Sequence, residues 1–326
     1  MGGRLAYDLQ EISHDPSSPD NPGFWAVTAN FEGEWTCARF GAVVDAPLPP
    51  IDEPWTPVGN SWKTSINQSD YIDYVQKIRE QISQGWVYQV NACRELSAEF
   101  SGSSLLPLMH QILRYNPAPF ASYLRLPEIE IASASPELFL ERQAGIVTSA
   151  PIKGTKPPEM DGLEFGTKDR AENVMIVDLI RNDLGRICKT GSVHVPRLLE
   201  TQSHPGLSHL VSYVQGSLRD GISWSEISEA LLPPGSVSGA PKSSAVKTIT
   251  DLEGQRRGPY CGPLGWVENG QALLSLAIRI FWTQRDGSLH FGTGAGITWS
   301  SDPEGEWEET QLKARRLISI ANGEIS

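Results

Sequence analysis

The chain has 326 residues, of which 39% are apolar and 20% are charged, so it can bury a sizeable core and is not disordered as a whole. Its 39 acidic and 27 basic residues give a formal net charge of −12, which argues against nucleic acid or an anionic membrane surface as a partner. An anionic small substrate is still compatible with this charge, because a few local cations can reverse the potential inside a cleft.

The cysteines and the apolar runs bear on the cellular compartment. Cys37, Cys93, Cys188 and Cys261 are far apart and form no CxxC pair, so the sequence indicates neither a zinc site nor a disulfide framework. No apolar run approaches the length of a membrane span, and Met1 is not followed by the apolar core of a signal peptide. We therefore expect a cytoplasmic protein.

The first 60 residues differ in composition from the rest. Residues 24–28 and 34–40 are rich in β-forming side chains and predict a hairpin around residues 30–33. Residues 45–60 contain five prolines, which is typical of a linker or of an extended surface strap. We expect residues 1–60 to be a residual N-terminal segment with a linker, and residues 61–326 to be one catalytic domain.

Helical and strand patterns follow each other irregularly over the rest of the chain. Apolar residues at helical spacing predict helices over residues 70–84, 105–113, 168–186, 224–232, 243–252 and 303–322. Runs of β-forming residues predict strands over residues 86–91, 120–126, 129–134, 138–141, 146–148, 207–215, 265–268, 272–282 and 289–291. Most neighbouring strands can pair through short turns, which favours an α+β fold with antiparallel sheets.

Lys153 stands in a short turn between Pro151 and Gly154. Its position alone favours an ordinary solvated lysine, because most lysines are exposed. The alternative is a nucleophilic amine. Glu137 lies sixteen residues upstream, and a carboxyl group and an amine in one cleft can divide the roles of general acid and nucleophile.

The last predicted helix carries Glu306, Glu309 and Lys313 on one face. Their spacing alone favours a solvated face with a Glu309–Lys313 ion pair. The alternative is a Mg²⁺ site beside an anchor for an anion, since Mg²⁺ prefers carboxylate oxygens. Glu172, near the start of the 168–186 helix, could join such a site only if the two helices face each other.

Three further patterns concern anions. Residues 292–296 predict a glycine-rich turn whose N–H groups could contact an anion. Arg279 lies in an otherwise apolar predicted strand, so it needs either an acidic partner or an anionic ligand. Residues 235–243 lack the spacing of a phosphate-binding loop, which excludes an NTPase on this basis. The six histidines form no metal-binding cluster in the sequence.

Four separated motifs resemble the chorismate-utilising enzymes. They are Pro-Ile-Lys-Gly-Thr (151–155), Asp-Arg-Ala-Glu-Asn-Val-Met-Ile-Val-Asp-Leu-Ile-Arg-Asn-Asp (169–183), Gly-Ser-Val-Ser-Gly-Ala-Pro-Lys (235–242) and Glu-Trp-Glu-Glu-Thr (306–310). The resemblance covers about residues 65–322. It implies one α+β domain with two packed antiparallel sheets, helices outside and an active site in a cleft between the sheets. Family members usually have a longer N-terminal half, so we expect an N-terminally shortened form.

The resemblance also implies roles for individual residues. Glu172 and Glu309 are expected to bind Mg²⁺, and Glu306 to support the ion through water. Chorismate is the expected substrate, with Lys153 as nucleophile and Glu137 as the general acid that assists departure of the 4-hydroxyl group. The residues expected to bind the substrate are Arg279, Lys313, Gly294, Ala295, Gly296, His209, Thr155 and Ser238.

Lys153 distinguishes the branches of this family. Anthranilate, isochorismate and salicylate synthases typically have alanine at this position, whereas aminodeoxychorismate synthases have lysine. Gln89 supports the same branch, because isochorismate-type members carry a lysine there as the base that activates water. The resemblance thus implies synthesis of 4-amino-4-deoxychorismate for folate, with anthranilate synthase component I or a non-catalytic relative that binds an amidotransferase as alternatives.

The sequence departs from the family pattern at three points, and the interpretation also requires a partner subunit. Ser238 stands where amine-transferring members usually have threonine, and Trp266 replaces a common tyrosine. The short N-terminal half puts a tryptophan pocket, which some relatives have, in doubt. No amidotransferase nucleophile is visible in the chain, so ammonia is expected from a separate glutamine amidotransferase subunit.

Overall fold

The computed structural model describes residues 1–156, 165–204 and 207–324. The helices in this part of the chain are α1 (Gln68–Ser83), α2 (Leu106–Tyr115), α3 (Thr167–Gly185), α4 (Trp224–Leu231), α5 (Gly235–Ser238), α6 (Lys242–Leu252) and α7 (Pro303–Ala321). The strands are β1 (Arg4–Ser13), β2 (Phe24–Ala29), β3 (Trp35–Asp45), β4 (Lys63–Thr64), β5 (Gln89–Glu99), β6 (Ser122–Arg125), β7 (Glu130–Ser133), β8 (Leu138–Gln143), β9 (Ile146–Ala150), β10 (Ile152–Lys156), β11 (His194–His204), β12 (Leu207–Ser217), β13 (Gly239–Ala240), β14 (Pro263–Glu268), β15 (Gln271–Leu276), β16 (Ile280–Thr283) and β17 (Ser288–Ile297).

Two antiparallel sheets organise the fold. The larger sheet has ten strands, in the order β1-β3-β2-β14-β15-β8-β9-β12-β10, with β11 paired to β12. The smaller sheet has seven strands, in the order β13-β5-β17-β16-β7-β6, with β4 paired to β5. The prediction of an α+β fold with two antiparallel sheets is therefore confirmed. No described helix is long and apolar enough to cross a bilayer.

Three apolar clusters hold the layers together. The first joins the two sheets, with Leu264 and Leu276 from the larger sheet against Val90 and Ala295 from the smaller one, and helices α1 and α6 complete it. The second packs α3 and α4 onto the larger sheet. The third packs α2 and α7 onto the smaller sheet. The sheets are thus in the middle and most helices lie outside, as the resemblance implies.

The N-terminal strands continue the larger sheet. Strands β2 and β3 form the predicted hairpin, with Phe24 opposite Phe40, and β1 adds a further strand beside β3. Strand β2 then pairs with β14, which places Val27 opposite Gly265. Residues 4–45 therefore share a sheet with the rest of the chain. The division at residue 60 is still a prediction.

The chain crosses from one sheet to the other in two adjacent segments. Residues 134–137 connect β7 to β8, and residues 277–279 connect β15 to β16. The predicted single strand over residues 272–282 is wrong, because Arg279 adopts a left-handed conformation with φ of 56° and the two halves belong to different sheets. Both halves are buried, so their apolar run shows no break in the sequence.

Strand β11 is absent from the sequence-based predictions. It contains Pro196 and charged side chains, and its pairing with β12 shifts register twice. Its residues therefore do not show the two-residue alternation from which a strand is recognised. The predicted strand at residue 86 begins instead at Gln89, after the exposed side chains of Trp86 and Tyr88.

Candidate active site

The two crossing segments lie side by side and carry Glu137 and Arg279. The Ala134 N–H donates to the Arg279 carbonyl at 3.0 Å, and the Leu276 N–H donates to the Glu137 carbonyl at 3.0 Å. These backbone hydrogen bonds fix the two segments relative to each other. A carboxyl group and a guanidinium that are far apart in sequence are therefore held at the same junction between the sheets.

Lys153 reaches the same junction from β10. Strands β8 and β9 form a hairpin in which Leu138 lies opposite Ala150, so the start of β8 and the end of β9 are neighbours. The Lys153 Nζ donates to the carbonyl of Ser236 at 3.2 Å. Burial lowers the pKa of this amine, while the negative charges of Glu172, Glu137 and Glu309 oppose that shift. A lowered pKa raises the fraction of neutral, nucleophilic amine, in contrast to a solvated lysine.

Glu137 holds its proton to an unusually high pH. Burial raises the pKa of its carboxyl group to about 7. Three groups oppose this shift because they favour the carboxylate: the hydroxyl of Ser236, the charge of Lys153 and the backbone N–H of Ile152. The Ser236 hydroxyl donates to Glu137 Oε1 at 2.8 Å. A carboxyl group with a pKa near neutrality can both give and accept a proton at physiological pH, as a general acid must.

Arg279 carries a positive charge that no described residue balances. Among the described residues, no hydrogen bond or ion pair of its guanidinium is found, and burial lowers its pKa. Leaving a partly buried guanidinium without a counterion is unfavourable, so an anionic ligand is the simpler of the two alternatives that the sequence left open.

Lys313 links helix α7 to strand β17. Its Nζ lies 2.6 Å from Glu309 Oε1 and donates to the Gly294 carbonyl at 3.0 Å. The Glu309–Lys313 ion pair that the spacing predicted is present. The same ammonium also lies close enough to Lys153 to lower its pKa further. Lys313 is therefore part of the charged environment of Lys153, rather than only of a solvated face.

The predicted glycine-rich turn is part of a strand. Gly294 lies opposite Cys93 and Gly296 opposite Asn91 in the β17–β5 ladder. A Cβ atom at Gly294 would lie 2.6 Å from the Cys93 Sγ, so this close approach requires glycine. Among the described residues, β16 pairs only with Phe291 and His290 of β17, and no second strand lies beside β17 beyond that point. The backbone there can contact a ligand from this open edge.

Helix α3 brings Glu172 towards the same site. The next residue, Asn173, is fully buried, donates to the Leu210 carbonyl at 3.1 Å and accepts from the Ser212 hydroxyl. These two bonds fix the rotation of α3 on β12, next to the buried His209. Glu172 of α3 and Glu309 of α7 both act on the charge of Lys153, so each lies within electrostatic range of this amine.

The carboxylates fit the chemistry of Mg²⁺. The ion needs only one or two protein carboxylates together with water and ligand oxygens. Glu172 and Glu309 supply such hard oxygen donors around one amine, and Glu306 lies one turn before Glu309 with only 4% of its surface exposed. Within the described ranges, no group of three ligand-type side chains forms a ready-made metal cluster. A Mg²⁺ site that the substrate completes is still compatible with this donor set.

Two predicted substrate contacts have other surroundings. The Ser238 hydroxyl donates to the Pro234 carbonyl at 2.9 Å and is completely buried, so it stabilises the short helix α5. The backbone of Thr155 pairs with His209 across β10 and β12, and the side chain of Thr155 lies outside what the structure describes. Their roles in substrate binding are still predictions.

Two elements of the site are missing from the sequence-based prediction. Ser236 contacts both Glu137 and Lys153, and Asp183 forms a buried ion pair of 2.6 Å with Lys242. The 235–242 motif contained Ser236 and Lys242, but the sequence pattern did not show which of its polar side chains turn inward. Helical spacing puts Asp183 outside the apolar stripe that Val174, Val177, Ile180 and Leu184 form on α3, yet its side chain is buried.

Loss of one partner of this ion pair should destabilise the fold. The side chains of Asp183 and Lys242 are 7% and 17% exposed, and burial raises the pKa of Asp183 and lowers that of Lys242. We expect Asp183→Asn to lower the free energy of unfolding by about 3 kcal/mol, because it leaves a buried ammonium without its counterion. Chemical denaturation measures this loss.

A matched control exists on the same helix. Asp178 pairs with Arg181, but both side chains are at least half exposed. Asp178→Asn should therefore change the free energy of unfolding by less than about 0.5 kcal/mol. Replacement of both Asp183 and Lys242 by apolar residues should recover part of the loss. Equal effects of Asp183→Asn and Asp178→Asn would contradict the importance of the buried pair.

Comparisons with known proteins show which family the chain resembles over most of its length. The family described as chorismate binding enzyme matches residues 19–319. Aminodeoxychorismate synthase component 1 of Klebsiella aerogenes is 36% identical over 287 residues, covering 85% of this chain and 63% of that protein. Anthranilate synthase component 1 of Aquifex aeolicus is 36% identical over 269 residues, covering 79% of this chain and 54% of that protein.

The structural comparison gives the same grouping. The crystal structure of anthranilate synthase component I from Streptococcus pneumoniae superimposes with a TM-score of 0.79 at 25% identity, covering 96% of this chain and 83% of that chain. The chain spans between 54% and 63% of the length of the two curated relatives just described. The family match starts at residue 19, well before the region in which the motifs are recognised, and extends nearly to the C-terminus. The chain therefore belongs to the family of chorismate binding enzymes.

Proposed function

We propose that this chain converts chorismate and ammonia to 4-amino-4-deoxychorismate through a covalent intermediate on Lys153. The proposal is supported most directly by the presence of Lys153 and Glu137, two groups with shifted pKa values, at one junction between the sheets. Burial lowers the pKa of the Lys153 amine and raises that of the Glu137 carboxyl group to about 7. A neutral amine and a protonated acid are the two forms that this reaction requires.

In the first step, the neutral amine of Lys153 forms a bond to C2 of chorismate. Both ring double bonds shift, from C1=C2 and C5=C6 to C1=C6 and C4=C5, and the C4–O bond breaks. Glu137 donates its proton to the departing 4-hydroxyl group, which leaves as water. The Glu137 carboxylate can then accept the proton that the alkylated lysine loses.

In the second step, ammonia attacks C4, both double bonds shift back and the bond between C2 and Lys153 breaks. Glu137 returns its proton to the departing lysine nitrogen, and its carboxylate then takes one proton from the added ammonium group. The amine of Lys153 and the protonated Glu137 are thereby restored. The sum is chorismate plus ammonia giving 4-amino-4-deoxychorismate plus water. The expelled lysine needs no oxidant or reductant, so the side chains of this chain suffice for the covalent chemistry.

Cations orient the anionic substrate in this proposal. Arg279, which has no counterion among the described residues, binds one carboxylate of chorismate, and Lys313 binds near the open edge of β17. His209 and the backbone of Gly294, Ala295 and Gly296 contribute further contacts. Mg²⁺, held by Glu172 and Glu309 with Glu306 acting through water, would neutralise the negative charge of a substrate carboxylate when bound.

The ammonia is proposed to come from a separate glutamine amidotransferase subunit. The relatives are named as component 1 of their synthases, which supports an assembly with a second component. Such a subunit would deliver ammonia to the cleft that contains Lys153. The proposal places the protein in the synthesis of 4-aminobenzoate for folate, in the cytoplasm.

The second candidate function is anthranilate synthase component I. It is supported by relatives with the same 36% identity as the aminodeoxychorismate synthases. That reaction introduces the amine at C2 and then removes pyruvate to form an aromatic ring. It needs no lysine nucleophile at position 153, and a lysine with a lowered pKa argues against it.

Product analysis separates the two functions. We expect chorismate, Mg²⁺ and ammonium ions to give a product with the mass of 4-amino-4-deoxychorismate, without the fluorescence of anthranilate. Liquid chromatography with mass spectrometry measures both products in one sample. Formation of anthranilate as the main product would overturn the proposed function.

A further inference from the structure

Ser236 contacts both groups that the proposed reaction uses. Its hydroxyl donates to Glu137 Oε1 at 2.8 Å, and its carbonyl accepts from Lys153 Nζ at 3.2 Å. The residue lies in the short helix α5 and is 9% exposed. One residue therefore fixes the direction of the acid through its side chain and the direction of the amine through its backbone.

We propose that Ser236 is a positioning residue that orients Glu137 and Lys153 together and keeps Glu137 able to exchange its proton. The inference rests on the proposed function for the roles of Glu137 and Lys153. It does not rest on the identity of the product, because a hydrogen bond to Glu137 orients this acid in any reaction at this junction.

The helix that carries Ser236 is fixed from both sides. Gly235 packs against helix α3 so closely that a Cβ atom there would lie 2.6 Å from Leu179 Cδ2. Lys242, which begins α6 just beyond the loop, forms the buried ion pair with Asp183 of α3. Helix α3 also carries Glu172, so the position of Ser236 is coupled to a helix whose carboxylate acts on the charge of Lys153.

The hydroxyl of Ser236 acts on the proton of Glu137 in a defined direction. Burial alone favours the protonated carboxyl group, and the Ser236 donor favours the carboxylate. The balance leaves the pKa at about 7, where the acid can lose and regain its proton in each turnover. Without the hydroxyl of Ser236, the pKa of Glu137 should rise, and the carboxyl group should release its proton more slowly.

The other charged groups near Glu137 do not replace this donor. The positive charge of Lys153 favours the carboxylate form of Glu137. Among the described residues, no further charged side chain has a resolved effect on the Glu137 pKa. Asp183 lies across a cavity of about 20 Å³ that Glu137 and Ser236 also line, and its charge is paired with Lys242. Glu172, Glu309 and Lys313 act on the charge of Lys153.

The test combines a titration with kinetics on the full chain. Infrared spectroscopy follows the protonated carboxyl band of Glu137, identified by its loss in Glu137→Gln. Ser236→Ala should move the titration midpoint to higher pH and lower kcat by about 10- to 100-fold, with little change in KM. Ser236→Thr, which keeps the hydroxyl group, should restore the midpoint and part of kcat.

A second buried serine provides the control. Ser228 is also 9% exposed, and its hydroxyl accepts a hydrogen bond from Trp35 Nε1 at 2.7 Å, away from the site. Ser228→Ala should lose a comparable stability without moving the Glu137 midpoint or changing kcat. If Ser236→Ala does not fold, Ser236→Cys, which has nearly the same size and a weaker donor, should show a smaller shift in the same direction.

The possible outcomes distinguish the two proposals. An unchanged midpoint and kcat in Ser236→Ala, or in Ser236→Cys if that variant must be used, would overturn the positioning role. A shift of the midpoint together with anthranilate as the wild-type product would support the role of Ser236 and overturn the proposed function. Equal effects of Ser236→Ala and Ser228→Ala would show that only general stability is affected.

Discussion

Lys153→Ala should lower the rate of 4-amino-4-deoxychorismate formation by about 10³-fold or more, because removal of a nucleophile eliminates the covalent route. The fold should be retained, since alanine can occupy the same extended position in β10. KM for chorismate should change much less than kcat, because the proposed carboxylate anchors Arg279 and Lys313 remain. Chromatographic measurement of initial rates with ammonium as the amine donor tests this expectation.

An exposed lysine provides the matched control. Lys247 has 77% of its side chain exposed and pairs with Asp251 on the surface of helix α6. Lys247→Ala should leave the rate within about twofold of the wild type, because exposed ion pairs contribute little. Retention of full activity by Lys153→Ala would show that the amine of Lys153 is not part of the reaction.

Glu137→Gln should lower kcat by about 10²- to 10⁴-fold, which is the usual contribution of a general acid. The amide keeps the shape of the side chain and can still accept a hydrogen bond from Ser236, but it has no proton to give to the 4-hydroxyl group. Steady-state kinetics at several pH values measure the effect. A loss of less than about threefold would contradict the role of Glu137 as general acid.

The same substitution should increase stability at neutral and alkaline pH. Burial raises the pKa of Glu137 from 4.5 to about 7, so the unfolded chain ionises before the folded chain as the pH rises. The contribution of Glu137 to stability is therefore fully present below pH 4.5 and is lost as the pH rises through about 7. By then the loss amounts to about 3 kcal/mol.

Thermal unfolding at pH 4.5 and at pH 8 tests the sign of this effect. Glu137→Gln and the wild type should have similar stability at the lower pH, and the variant should be more stable at the higher pH. Glu80→Gln, at an exposed position of helix α1, should show no such difference. A variant that is less stable than the wild type at pH 8 would contradict the raised pKa. An active site that lowers stability in exchange for activity is a common arrangement.

Local patterns in the sequence account for much of the fold. The helix predicted over residues 303–322 is observed over residues 303–321. Its start is fixed locally, because the Asp302 side chain accepts the Gly305 N–H at 2.9 Å and Pro303 stands in the first turn. The β2–β3 hairpin likewise follows from β-forming residues on both sides of a turn. The junction between the sheets could not be derived in this way, since a buried run such as residues 272–282 gives no signal for a change of sheet.

The candidate site required long-range pairing. Glu137 and Lys153 become neighbours through the β8–β9 hairpin, which the sequence predicts only as two strands. Glu172 of α3 and Glu309 of α7 both act on the charge of Lys153, and no local spacing encodes how these two helices are placed around that amine. The resemblance to the family supplied these residues together. The contacts of Ser236 could be recognised only from the positions of individual atoms.

The left-handed conformation of Arg279 is another feature that local sequence patterns could not predict. An arginine with φ of 56° at a crossing between sheets is unfavourable by itself, so neighbouring hydrogen bonds must hold it. The Ala134 N–H bond to its carbonyl is one of them. The sequence showed a charged residue in an apolar run, which indicated a special role. It predicted neither the strand break nor a guanidinium without a counterion among the described residues.

Mass spectrometry of the intact protein, incubated with chorismate and Mg²⁺ but without ammonia, tests the covalent route most directly. The account predicts a population of the protein whose mass is increased by that of chorismate less one water molecule, located by peptide mapping at Lys153. Addition of ammonium should remove this adduct and release 4-amino-4-deoxychorismate, and Lys153→Ala should show neither event. Formation of the product at the wild-type rate by Lys153→Ala, or an adduct at another residue, would contradict the account.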